Sequence, residues 1–412
     1  MTTTSIAGPE TGLADASLDR LGAIVRDEAA ASDENAGLTP TAAAAFAESG
    51  VAKLDLPEKL GGFGNYEYGD WAKTVEALAR YNTAAGWILH AAGGFTGLFA
   101  AMLPEAGAQA LWGGASSATI VGLVQPRGRA VRTERGYRVE GKFQFASGAN
   151  VATHFTVACF VYDEDGSAVL LEDGSPQAIC GVLPRDQVVL QGNWNVFGLR
   201  ATSSIDYEVL ATTISDDFVF GLNPWPEVVN RGAPRHRVGP TVHASIGQTP
   251  VFLGSAKGVL EEIASVATTR KRRDGAYPTV ADQPAFRHDL TVLDGDLNAA
   301  RLAFYDLVDR LNEVAVNGVG PLDPEWGDRA RQVGRQALDV ALRCVDFACY
   351  WAGSSALRTG NSIGRRFLDV HAMNLHITQD RNILIDAGTT VVTDLVHGWE
   401  RSQSTGPTEG ER

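Results

Sequence analysis

Leu290, Leu293, Leu297, Ala300, Phe304, Leu307 and Leu311 follow one another at alternating steps of three and four residues. That spacing lays a continuous apolar seam along one face of a helix. A second seam, Val333, Ala337, Val340, Cys344, Phe347 and Trp351, follows Asp323-Pro324, a capping carboxylate with a proline at the first helical position. Ala256, Val259, Ile263 and Val266 make a third, and a last segment from about Phe367 to Val396 a fourth. Four such helices running antiparallel predict a four-helix bundle.

Upstream the rhythm differs. From about Leu18 to Ala101 the pattern is again helical, with Leu38-Thr39-Pro40-Thr41 as a start signal and the run Pro57 to Gly64 as a glycine-rich break. Between Thr119 and about Phe220 short β-branched or alternating runs take over: 119–124, 137–143, 155–161 and 178–183. Turn residues such as Asp165-Gly166 and Asp173-Gly174-Ser175 separate them, as in a compact antiparallel barrel or sandwich. The expected order is a helical domain (1–115), a β-barrel domain (116–222) and a four-helix bundle with a frayed tail (223–412).

Composition narrows the function. The chain has 412 residues, of which 44% are hydrophobic and 20% charged, an ordinary globular balance. Its net charge of −14 opposes binding to nucleic acid or an anionic membrane surface, and the one dense basic run is Arg270-Lys271-Arg272-Arg273. No apolar stretch of membrane-spanning length and no signal peptide is read, so the cytoplasm is the expected compartment. Cys159, Cys180, Cys344 and Cys349 show no zinc spacing and are expected as buried thiols, with no metal site. Phosphate-binding glycine loops of the dinucleotide and P-loop types are absent, as is a nucleophile elbow.

Several strings resemble the acyl-CoA dehydrogenase fold and, within it, the two-component flavin-dependent monooxygenases. Leu56-Pro57-Glu58-Lys59-Leu60-Gly61-Gly62 is similar to the entry of the N-terminal domain, and Ala84 to His90 to the substrate-side helix. Gly136 to Gly148 ends in Phe145-Ala146-Ser147-Gly148, the monooxygenase form of a segment that closes with Thr-Asn in dehydrogenases. Trp194 to Ser204 resembles the Trp-x-x-x-Gly-Leu-Arg-Gly-Thr-Gly-Ser segment, with Ala201 and Ser203 in place of its two later glycines. Arg366 to His376 resembles the C-terminal helix whose second histidine faces flavin C4a, with Leu368 where an arginine usually precedes the aspartate.

The resemblance implies an oxygenase that takes reduced flavin (FMNH2 or FADH2) from a partner reductase. With O2 it forms a C4a-hydroperoxide and hydroxylates a small, aromatic or natural-product substrate. His376 is then the catalytic group beside the oxygens, since imidazole exchanges its proton near neutrality. Ser147 sits by flavin N5; Gly148, Gln125 and Arg270 (or Arg272) hold the cofactor. His90, Trp87 and His371 line the substrate, although His371 and His376 on one helix project roughly 140° apart. The fold's usual assembly is a homotetramer. The alternatives are N- or S-oxygenation on the same fold, a true acyl-CoA dehydrogenase, or a scaffold without chemistry. The dehydrogenase needs a carboxylate base in a Glu-Gly-Thr string, and Asp386-Ala387-Gly388-Thr389 puts Ala387 at that place.

Overall fold

The structure, a computed structural model, describes residues 15–404 apart from 64–66, 115–116, 226–230, 233–235, 237, 272–275 and 318–323. Arg272, Arg273, Gly64 and the Asp323 cap therefore lie outside the described residues, as does the side chain of Asp386. The N-terminal helices are α1 (Asp15–Asp27), α2 (Ala29–Glu34), α3 (Pro40–Glu48), α4 (Tyr68–Tyr81), α5 (Thr83–Ile88), α6 (Gly94–Met102) and α7 (Glu105–Trp112). The predicted start at Thr39 holds: its Oγ1 accepts from Ala42 N at 3.2 Å. A π turn, Leu89–Gly93, joins α5 to α6. The resulting run Thr83–Met102 is, against the sequence expectation, long and apolar enough to cross a membrane; 89% of it is buried inside the protein.

The strands are β1 (Ile120–Val121), β2 (Gly128–Thr133), β3 (Gly136–Ala146), β4 (His154–Tyr162), β5 (Ala178–Pro184), β6 (Val189–Leu190), β7 (Ile205–Ser215) and β8 (Val219–Asn223). They form one sheet in the order β6-β7-β3-β2-β4-β5-β8, with β1 beside β4. This corrects the expected antiparallel barrel: β4 runs parallel to both β1 and β2, and no pairing joins β6 to β8 among the described residues. After the β2–β3 hairpin the chain crosses back through 147–153, so β4 enters beside β2 in the same direction. Inside the sheet Phe143 stacks on Tyr207 at 5.1 Å, and Tyr207 donates to Thr156 O at 2.8 Å.

The C-terminal part holds α8 (Pro240–Thr269), α9 (Pro284–Asn317), α10 (Pro324–Ala352), α11 (Ser362–Met373) and α12 (Asn382–Ser404). The α9 seam is buried from Leu293 to Leu311, and in α10 Ala337, Val340, Cys344, Phe347 and Trp351 are buried. Helices α8, α9 and α10 pack on one another, and α4 also packs on α8. The expected last helix over 367–396 is instead two, α11 and α12, broken by the turn 374–381. In place of four long helices, this part has three, α8, α9 and α10, with the shorter α11 and α12 packed on α10. The break between α11 and α12 places the site.

Candidate active site

Helix α5 is fixed at its start by Asn82, whose Oδ1 accepts from Ala85 N at 3.0 Å while its Nδ2 donates to Val25 O at 2.9 Å. One turn on, Trp87 is buried, and its indole Nε1 donates to Ser147 Oγ at 3.1 Å. Ser147 continues a hydroxyl chain: Oγ lies 2.7 Å from Ser204 Oγ, which lies 2.6 Å from Thr202 Oγ1. Gly148 has φ +87°, a conformation that favours glycine, and its N–H donates to Thr202 O at 2.7 Å. The sheet turn at Ser147 and the loop 199–204 are therefore one unit. That loop is tied in turn to α11, since Leu199 N–H donates to Asp369 Oδ1 at 2.6 Å.

His376 stands in the turn after α11. Buried Arg335 of α10 holds that turn from below, donating to Asn374 Oδ1 at 2.8 Å and to Gln379 O at 3.0 Å, and pairing with Asp339. The imidazole meets Trp87 edge to face, ring centroids 5.6 Å apart. Trp87 also meets His90 of the π turn, ring centroids 5.7 Å apart, and His90 is itself 6.2 Å from Trp71. π turns interrupt α-helical bonding and recur at functional sites. Gly247 of α8 makes room for His90: a Cβ there would come within 2.5 Å of its Nδ1.

Burial sets the charge state of both rings. Loss of solvation pushes the His376 pKa down to about 4 and the His90 pKa down to about 3, so both are neutral at pH 7. His90 Nδ1 is shut off from solvent with no protein partner among the described residues. This carries a stability prediction. The unfolded chain protonates His90 below pH ~6.5 while the folded chain does not, so His90 lowers stability as pH falls toward its folded value. Between pH 6.5 and 5 the loss is about 2 kcal/mol, at 1.36 kcal/mol per unit. His90→Leu is expected to flatten that part of the pH dependence of the urea midpoint; an unchanged slope would contradict the burial.

The structure thus brings together Ser147, Gly148, Trp87, His90 and His376. His371 does not join them: it sits in the last turn of α11, with Nε2 2.9 Å from Asp346 Oδ1 and its ring against Phe367. Arg270 reaches away to Ser355 Oγ at 3.1 Å, and Gln125 is exposed, accepting from Arg127 Nη2 at 3.1 Å. Ala387 of α12 is buried and carries no base. The sequence reading missed Gln248, Thr378, Ser204 and Thr202, all of which touch Ser147 or His376 directly or through one hydroxyl. Thr202 and Ser204 stand in a string already singled out. Gln248 lies 128 residues from His376, and no local spacing signals it.

The residues fit a reduced flavin. Beside Ser147, Phe145 is 57% exposed, edge-on to Trp194 at 6.4 Å; beside His376, Leu375 and Ile377 are 72% and 70% exposed. A planar, largely apolar ring system with polar edges would cover these side chains while meeting the Ser147 hydroxyl. Gly148, at φ +87°, lets this turn close against Ile88, Val121 and Val151 and so fixes Ser147 beside it.

Residues 246–381 match the family described as acyl-CoA dehydrogenase, C-terminal domain. The indole-3-acetate monooxygenase of Pseudomonas putida is 24% identical, over 81% of this chain and 81% of its own. The flavin-dependent monooxygenase oxygenase subunit HsaA of Rhodococcus jostii is 23% identical, over 88% of this chain and 94% of its own. Among solved structures, XiaF from Streptomyces sp. in complex with FADH2 superposes with a TM-score of 0.80 at 18% identity, covering 91% of this chain and 94% of XiaF. The chain thus has the acyl-CoA dehydrogenase-like fold, residues 246–381 match the acyl-CoA dehydrogenase C-terminal domain, and monooxygenases, among them a flavin-dependent oxygenase subunit, are similar to it over most of its length.

Proposed function

We propose that this chain is the oxygenase component of a two-component flavin-dependent monooxygenase that hydroxylates a small aromatic substrate. The observation that carries the reading is the placing of His376 and Ser147 against one buried tryptophan, His376 by ring contact and Ser147 by hydrogen bond. Reduced flavin, when bound, supplies the electrons that activate dioxygen; one oxygen atom enters the substrate and the other leaves as water. The chain's own residues do the rest. Ser147 offers a hydroxyl to the polar edge of the ring system, Gly148 shapes the turn that holds Ser147 there, and Trp87 with Trp71 keeps water from the reacting centre. His376 is neutral at pH 7 and donates a hydrogen bond where charge develops on oxygen. His90, packed edge-on to Trp87, is the residue assigned to a phenol or another polar group on an aromatic ring.

A separate reductase supplies the reduced flavin in this reading, because the sequence carries no pyridine-nucleotide fingerprint. Gln125 and Arg270 belong to the cofactor side in the same reading, held in the described chain by Arg127 and Ser355. A homotetramer is supported by helix α12, which leaves Ile385, Val392, Leu395 and Trp399 exposed along its length. The cytoplasm suits its free thiols, three of them buried.

The test is turnover of a panel of phenols and indoles with a reductase, NADH, flavin and isotopically labelled dioxygen. A product carrying one labelled oxygen supports the reading. Desaturation of an acyl-CoA, with no label transferred, would replace it.

A further inference from the structure

The proton of a neutral imidazole sits on one of two nitrogens, and the partners of one nitrogen decide which. His376 Nδ1 faces inward to three groups. The backbone N–H of Thr378 donates to it at 3.3 Å, and Gln248 Nε2 stands 3.2 Å away. The Thr378 hydroxyl lies 2.8 Å from Nδ1 and donates its proton to Gln248 Oε1 at 2.7 Å, so the two N–H groups are the donors aimed at the ring nitrogen. A backbone N–H has no acceptor form, so it can face Nδ1 only if Nδ1 carries no proton. Gln248 is itself held: it is 2% exposed, and its Oε1 accepts from Gln379 Nε2 at 3.0 Å. Among the described residues no carboxylate pairs with the ring. The ionisable group near it, sharing Trp87 as a neighbour, is His90, neutral and buried.

We propose that Gln248, with Thr378, is a positioning residue that fixes His376 as the Nε2–H tautomer, leaving a single N–H donor directed away from the Gln248–Thr378 pair. The assignment deepens the monooxygenase reading, in which that N–H is the donor presented to oxygen. A glutamine suits the task because its amide supplies a donor to Nδ1 without a charge. A carboxylate in its place would draw the proton to Nδ1 and turn the ring into an acceptor on its outer side.

The test needs no turnover. Nitrogen chemical shifts of the ring, read by NMR on the flavin-free full chain with isotope-labelled histidine and assigned through His376→Gln, report tautomer and titration together. The wild type is expected to show the Nε2–H form and to remain neutral down to about pH 5. Gln248→Glu is expected to move the proton to Nδ1 and raise the titration midpoint by one pH unit or more. Gln248→Met, which keeps volume and loses the donor, is expected to give a mixture of tautomers. An Nδ1–H ring in the wild type overturns the assignment, and that spectrum alone decides should Gln248→Glu fail to fold. An unchanged tautomer and midpoint in Gln248→Glu also overturns it. Expected spectra in a protein that fails to bind reduced flavin would keep the positioning role and remove the monooxygenase reading.

Discussion

Replacing Arg366 by leucine is expected to cost about 3–5 kcal/mol of folding stability, the largest single effect of any change outside the reacting centre. The guanidinium is 8% exposed, and its two terminal nitrogens close the C-terminus of α4, donating to Ala79 O at 3.2 Å, Arg80 O at 2.6 Å and Tyr81 O at 2.8 Å. Its Nε faces Glu262 at 3.7 Å. Leucine fills the space of the stem but leaves three helix-end carbonyls and a half-buried carboxylate without a donor, and each unsatisfied group costs about 1–3 kcal/mol. Arg366→Lys keeps the charge but has one nitrogen where the fork has two, so an intermediate loss is expected. Chemical denaturation of the three proteins checks the order. A leucine variant within 1 kcal/mol of the wild type would mean those carbonyls find water instead.

The largest functional effect belongs to His376. With the ring removed, the hydrogen-bond donor beside the reacting oxygen is lost, and positioned proton donors contribute typically about 10²–10⁴-fold. His376→Ala is expected to lower the rate of substrate oxygenation within that range while folding and flavin binding persist, since Gln248 and Thr378 stay bonded to each other without the ring. His376→Asn, with an amide N–H, should recover part of the loss. His371→Ala provides the contrast. Its partner is Asp346 at the outer surface of α10, so turnover should stay within a factor of two or three of the wild type, at a stability cost of roughly 0–1 kcal/mol. Loss of activity in His371→Ala equal to that of His376→Ala would contradict the geometry.

What was legible in the sequence is what repeats along the chain. The seams of α9 and α10 are periodic over many turns, and their residues are buried from Leu293 and Ala337 onward, with Leu290 and Val333 half-buried at the ends. Thr39-Pro40 and the glycine break after Pro57 are local chemistry, and both stand where the sequence puts them. The errors come from long-range pairing. The sequence reading passes over β7, although Ile205-Asp206-Tyr207-Glu208-Val209 alternates, and β2 is parallel to β4 because of a crossover that no local pattern encodes. The break between α11 and α12 is similar. Apolar residues continue through Leu375, Ile377, Leu384 and Ile385, so the sequence reads as one helix; in the structure these side chains are exposed, and Arg335 holds the turn between them by bonds to Asn374 and Gln379. That turn resolves the conflict of two histidines five residues apart. His371 ends the helix and points outward, whereas His376 starts a new turn and points in. Ser147 and His376 were visible through a resemblance, but Gln248 and the hydroxyls of Thr202 and Ser204 reach the site only through tertiary contact.

The most direct test of the central claim is to titrate the protein with reduced FMN and reduced FAD without oxygen, then mix each complex rapidly with oxygenated buffer and follow the return of oxidised flavin. The monooxygenase account predicts that one reduced flavin binds more tightly than its oxidised form. It also predicts that the bound flavin returns to the oxidised state far more slowly than free reduced flavin, and that His376→Ala shortens the delay. Tight binding of oxidised FAD that an acyl-CoA bleaches, or reduced flavin that reoxidises as fast with the protein as without it, would contradict the account.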